Sequence, residues 1–281
     1  MTQWASLCYN EGTMKNADFL ADEIFSRYGN VKRARGPFLY TAKGRRLTDL
    51  YQESGRAILG WGGCSAYTML KNVLNRGATG FYRTDHTYRL AKAVNTLFPS
   101  GGTKRAVLVF PSKKIAVEEG LKISARTSAY HPWHQAEVDW AAVDCIVYEP
   151  TLPWAGETTV LAVRETPENA ELIKLAGTRQ IRLASPMEEA FARSTYDLIT
   201  ALRDRKEKDW FIYDNLINSY WTRKGPYLFP KVPEEKYAAF VLHCLDLGIV
   251  ISPDYNHPSI VPFGADRGVF EVLKKNPFSL D

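Results

Sequence analysis

The sequence predicts an α/β fold: a mostly parallel sheet in the middle of the chain and a smaller α+β unit built jointly from its two ends. Three observations carry this. The apolar runs KRAVLVF, DCIVYEP and TTVLAVRE have no polar alternation, the mark of strands buried on both faces. Segments with helical spacing separate several of them, as strand-crossover-strand units require. The charged patch RDRKEKDW then interrupts the pattern near residue 205, and strands and helices resume after it. Residues 56–204 are therefore expected to form a larger domain, and residues 1–55 and 205–281 a smaller one.

The elements follow in order. FLYTAKGRRLTDLYQES alternates apolar and polar residues about Lys43 and Gly44, which reads as a hairpin. GWGGCSAYTMLKNVLNRG is a glycine-rich entry into a helix that stops at Gly77. HTYRLAKAVNTLFP places Leu90, Ala91, Val94, Leu97 and Phe98 on one helical face and ends at Pro99. KRAVLVF runs straight into a helix whose small residues Ala116 and Gly120 allow close packing. DCIVYEP and TTVLAVRE are the next strands, with TRQIRLA a weaker third. Ser185, Pro186 and Glu188 have the spacing of a capping box with proline in the first turn. Beyond the charged patch come a strand in GPYLFPKV, a helix from Glu234 to about Leu247 closed by Gly248, the strand IVISP, and a short helix over residues 267–275.

Composition narrows the function classes. The 281 residues are 45% hydrophobic and 24% charged, ordinary for a globular chain with a sizeable core. No apolar run is long enough to span a membrane, and the first residues lack the pattern of a signal peptide. Four cysteines without CxxC spacing fit a reducing cytoplasm. The net charge of +5 is mild and spread along the chain, which argues against a nucleic-acid partner. GxGxxG, GxxxxGK[ST] and GxSxG motifs are absent. His131 and His134 are three apart but have no nearby cysteine or carboxylate pair, so they read as packing or surface residues rather than metal ligands.

One corner keeps two readings. In FPSKKIAVEEGLKISAR a strand turns at once into a helix, aiming the helix's first N–H groups at one point. Ser112 is either a simple N-cap beside solvated lysines or part of an anion site. Lys113 and Lys114 oppose the helix dipole by a few tenths of a kcal/mol each unless an anion balances them.

The order of these pieces resembles the class III aminotransferases, pyridoxal-phosphate (PLP) enzymes of fold type I. Gly44, Leu47 and Asp49 match the family's DGxxxLD hairpin, and RLAKAVNTLFPSGGTKRAVLVFPSKKIAVEEGLKISAR resembles its next block. There Ser112, Ala116, Glu118, Leu121, Lys122 and Arg126 fall in register, while Lys113-Lys114-Ile115 replaces a Gly-Ser-Glu core. The resemblance implies a three-layer, PLP-transferase-like large domain, with the cofactor phosphate near Ser112, Lys113 and Lys114. It further implies Tyr130 and His131 at the pyridine ring and Glu149 close by, in IVYEP. No Asp occurs between Pro150 and Ser185 to pair with the pyridine nitrogen. The only lysine in that interval, Lys174, is either the Schiff-base residue or an exposed helix lysine. Arg223 or Arg267 would pair with a substrate carboxylate. By the same resemblance the chain is a homodimer moving an amino group between a small amino donor and an oxo acceptor. The alternative is an inactive relative that binds a phosphorylated ligand or a partner subunit.

Overall fold

The computed structural model describes residues 11–62, 65–80, 82, 84–134, 138–154 and 158–280. The chain divides into two compact units: residues up to Gly62 together with those from Arg205 onward, and the residues between.

The first unit opens with helix α1 (Glu11–Tyr28) and the strands β1 (Val31–Arg35), β2 (Phe38–Thr41) and β3 (Arg46–Asp49). The β2–β3 hairpin turns through Gly44 at φ +77°, a conformation glycine adopts without strain.

The second unit begins with α2 (Ala66–Asn75) and α3 (His86–Leu97). Leu90, Ala93, Val94 and Phe98 bury the inner face of α3. Strand β4 (Arg105–Phe110), helix α4 (Lys113–Ile123), β5 (Thr127–Ala129), β6 (Cys145–Tyr148) and β7 (Thr159–Arg164) follow, then α5 (Ala170–Gly177) and α6 (Ser185–Asp204). The strands form one sheet in the order β4-β7-β6-β5. Leu108, Phe110, Cys145, Val147, Leu161 and Val163 point to one face and pack with Ala116 of α4 and Ala176 of α5. Tyr148 points to the other and meets Thr195 of α6. Gly120 has to be small, because a Cβ there would lie 2.8 Å from Thr127 Cγ2 and 3.2 Å from Leu161 Cδ1.

This sheet is mixed, which corrects the expectation of a mostly parallel one. β7 lies antiparallel to both β4 and β6. The link from β6 to β7, residues 149–158, is too short for a parallel return, which takes a dozen or more residues. Two local readings also change. TRQIRLA forms no strand and contributes a single ladder-like bond, Ile181 N–H to the Val109 carbonyl at 2.8 Å. Ser185 lies inside α6, and its hydroxyl meets that of Thr84 at 2.9 Å in place of a capping box.

The chain then returns to the first unit through α7 (Lys208–Phe211) and α8 (Asp214–Ile217), followed by the hairpin β8 (Trp221–Lys224) and β9 (Tyr227–Pro230). Helix α9 (Glu234–Asp246) stops at Gly248, at φ +84°. Strand β10 (Ile249–Val250) adds to β3 in parallel and β11 (Ser259–Ile260) to β9 antiparallel, before α10 (Glu271–Lys275). Among the described residues no helix is long and apolar enough to cross a membrane.

Candidate functional site

The corner after β4 is built as follows. Ser112 is extended (φ −154°, ψ 157°), and its Oγ accepts the Ile115 N–H at 3.3 Å, so it caps α4. Helical backbone begins at Lys113. The Lys113 Nζ lies 2.9 Å from Glu149 Oε2, with the two side chains 11% and 26% exposed. Lys114 is exposed. A cation in the first turn of a helix is unfavourable, and Glu149 supplies the balancing charge. Partly shielded from water, the pair is screened less by salt than an exposed surface pair.

Strand register explains why these two residues meet. Phe110 of β4 faces Thr159 of β7, and Tyr148 of β6 faces Val160. The residues just past β4 and β6 therefore flank the start of β7. Thr159 is fully buried, and its Oγ1 has no hydrogen-bond partner among the described residues. Alternation puts its side chain on the face of Leu161 and Val163, beneath α4. The sequence reading missed Thr159. The available signal was a polar residue opening the otherwise apolar run TTVLAVRE.

Tyr130 belongs to the opposite face. Its N–H donates to the Val147 carbonyl at 2.8 Å, extending the β5–β6 pairing by one residue. Ala129, its neighbour, packs beneath α4, so Tyr130 points away from it. The Tyr130 ring lies 4.8 Å from Phe98, 5.1 Å from Trp140 and 6.2 Å from Tyr148, each at a steep angle. Burial, with a smaller effect of Tyr148, pushes its phenol well above the usual range. Arg105 supports this nest from below, donating to the carbonyls of Phe98, Asp144 and Trp140. His131 opens the next turn, its carbonyl accepting the His134 N–H at 3.3 Å, and Trp133 there adopts φ +61°.

The remaining predicted residues lie elsewhere. Lys174 is an exposed lysine of α5, 2.7 Å from Glu171 one turn away. In the first unit, Arg223 is engaged from three sides. Its guanidinium donates to both oxygens of Asp214 at 2.5 and 2.9 Å, to Glu207 at 2.6 Å and to the Gly225 carbonyl at 2.7 Å. Hydrogen bonding to Asp214, offset in part by burial, holds its charge more firmly than usual. That fork is filled by the protein's own carboxylates. Arg267 is exposed and donates to Asn215 Oδ1 at 2.8 Å.

No family model matches the chain. An uncharacterized protein of Treponema pallidum is 28% identical, over 85% of this chain and 91% of that protein. Another, of Borreliella burgdorferi, is 24% identical over 89% and 90%. Among solved structures, the ornithine aminotransferase of Plasmodium yoelii superposes with a TM-score of 0.64 at 11% identity, covering 92% of this chain and 98% of that one. The acetylornithine aminotransferase of Elizabethkingia anophelis gives 0.64 at 12%, over 92% and 98%. The chain has an aminotransferase fold. A Toxoplasma gondii ornithine aminotransferase, solved with partial occupancy of PLP at its active site, matches at 0.65 and 12% over 98% and 96%. At such identities the likeness concerns the fold alone.

Proposed function

We propose that this chain is a catalytically inactive relative of the aminotransferases, a subunit that keeps their fold and works by binding, paired with a second copy of itself. The observation that carries this reading is the division of the predicted cofactor set by strand alternation. Lys113 and Glu149 neutralise one another on the α4 face. Tyr130 is enclosed by aromatic rings on the other face, and Lys174 is a solvent-exposed lysine on α5.

PLP, when bound, supplies an electron sink for amino-group chemistry. The residues present do not fit it. A phosphate at the corner would meet a lysine already matched by a carboxylate, with side chains where glycine would let the backbone approach. No Asp between Pro150 and Ser185 is available for the pyridine nitrogen. A Schiff-base lysine also serves as a general base, a role that an exposed lysine bonded to Glu171 is not placed to fill. The fold likeness alone favours the other reading, amino transfer with PLP on Lys174.

An absorbance spectrum with added PLP, before and after borohydride, followed by peptide mass spectrometry, separates the two. The expected result is no aldimine band and no change in melting temperature. A band fixed by reduction onto Lys174 would overturn the inactive reading.

A further inference from the structure

We infer that Glu149 is the built-in anion of the α4 corner, a carboxylate that closes from within a position an external anion would otherwise take. This rests on the inactive reading above and gives its physical cause. The corner has the parts of an anion site: the first N–H groups of an 11-residue helix, the Lys113 ammonium, and beneath them the fully buried Thr159 hydroxyl with no partner among the described residues. The hydroxyl is the independent sign that the site is made for a ligand, because buried polar groups are nearly always bonded. Ser112 does not compete for the role, since its oxygen caps Ile115.

Glu149 reaches this point because β6 ends beside the start of β7. The register that sets Tyr148 against Val160 places the next residue of β6 next to Thr159. At 2.9 Å from Lys113 Nζ, its carboxylate supplies the charge that the helix start and the lysine both require. The ligand class that would replace it is a small oxyanion with several acceptors, for which inorganic phosphate is the probe. Lys114, exposed on the same turn, is an internal control for simple surface attraction.

Two experiments on the full chain test this. The first compares melting temperatures of wild type, Glu149→Gln and the double variant Lys113→Met/Glu149→Gln, in phosphate and in sodium chloride of equal ionic strength. Wild type is expected to show no phosphate-specific shift. Glu149→Gln should melt several degrees lower (~5 °C) and recover most of the loss in phosphate, while the double variant should not respond. Equal stabilisation of wild type and Glu149→Gln would mean the corner is open already. A folded Glu149→Gln that ignores phosphate would mean it is no anion site. Either result overturns the inference.

The second experiment needs no variant. Trace acetylation of wild type, read by mass spectrometry, should label Lys113 at least tenfold more slowly than Lys114, with the ratio unchanged by phosphate. A Lys113 that labels as fast as Lys114, or that phosphate protects, defeats the proposal. Neither readout involves an aldimine, so a PLP band on Lys174 would overturn the inactive reading and leave these results to be judged separately.

Discussion

Two buried carboxylates, one in each unit, are stabilised by different means. Glu119 of α4 has a side chain 6% exposed, and its Oε1 receives Lys122 Nζ and Arg179 Nη1, each at 2.6 Å. Burial pushes its carboxyl up, but the two cations more than reverse this and hold it below the usual carboxylate range. Asp49, at the end of β3, is 1% exposed, and its donors among the described residues are neutral. Its Oδ1 accepts the N–H groups of Tyr51 and Gln52 at 2.9 and 3.0 Å, and its Oδ2 accepts Trp61 Nε1 at 2.7 Å. Burial dominates there, and its carboxyl is pushed up to about 6. Three neutral donors, each bonding an acid in the same sense, do not outweigh desolvation; two cations do. Glu149 likewise has a cationic partner, Lys113. Glu119 is thus fastened with charge, whereas Asp49 serves to fasten a loop.

That loop needs fastening. Gln52, Glu53 and Ser54 all have positive φ, at 49°, 46° and 56°, before Gly55 at 100°. Each left-handed non-glycine residue costs about 1 kcal/mol or more, so the run persists only while its surroundings determine it. Asp49→Ala leaves three donors without an acceptor and releases the run. The expected loss is about 4 kcal/mol in urea denaturation, the largest effect foreseen for a single substitution here. A loss below about 1 kcal/mol would show that the loop is determined by its other contacts.

The same comparison fixes opposite pH slopes. For Asp49 the folded carboxyl binds its proton more tightly than the unfolded one. Its cost is therefore absent below about pH 4 and grows as pH rises to about 6, reaching at most roughly 3 kcal/mol. For Glu119, with its carboxyl held low, stability is present above the unfolded value and is lost as pH falls. Relative to Asp49→Asn, wild type should lose stability between pH 4 and 6. Relative to Glu119→Gln, it should gain stability as pH rises from the acid side. Melting temperatures from pH 3.5 to 7.5 measure both differences. Slopes of the same sign would break the distinction between charge-fastened and dipole-fastened acids.

Much of this was legible in the sequence where the signal is local. Lys43 and Gly44 mark a turn by backbone preference, Leu90 and Val94 mark α3 by spacing, and Phe110 to Lys113 marks a strand end against a helix start. The direction of β7 was not legible, because an apolar run reads alike in parallel and antiparallel sheets; only the shortness of the link after Glu149 carries that information. TRQIRLA alternates as a strand does, yet it meets the sheet through the Ile181 N–H alone. At the site, Lys113 and Glu149 were each identified, but their pairing depends on the register of three strands. Tyr130 followed from resemblance, and its turn to the opposite face is a matter of strand parity in the finished sheet. The bonds from Arg223 to Asp214 and Glu207 were not legible, because these partners lie at distances along the chain that no short pattern links to it.

The smallest effect foreseen concerns Ser112, where the two readings of the corner diverge. If its hydroxyl serves only α4, Ser112→Ala removes one cap and costs about 1 kcal/mol, toward the low side because the bond to Ile115 N is a long 3.3 Å. Ser112→Gly should cost only a few tenths of that, since glycine leaves the N–H groups open to water. If instead the hydroxyl served a bound anion, both substitutions would weaken phosphate rescue of Glu149→Gln while changing stability by similar amounts. Measuring the two variants in the Glu149→Gln background with and without phosphate distinguishes these cases. The expected pattern is a stability difference between Ala and Gly with rescue intact in both, which would assign the anion-facing role to Lys113 and Thr159 and leave Ser112 to the helix.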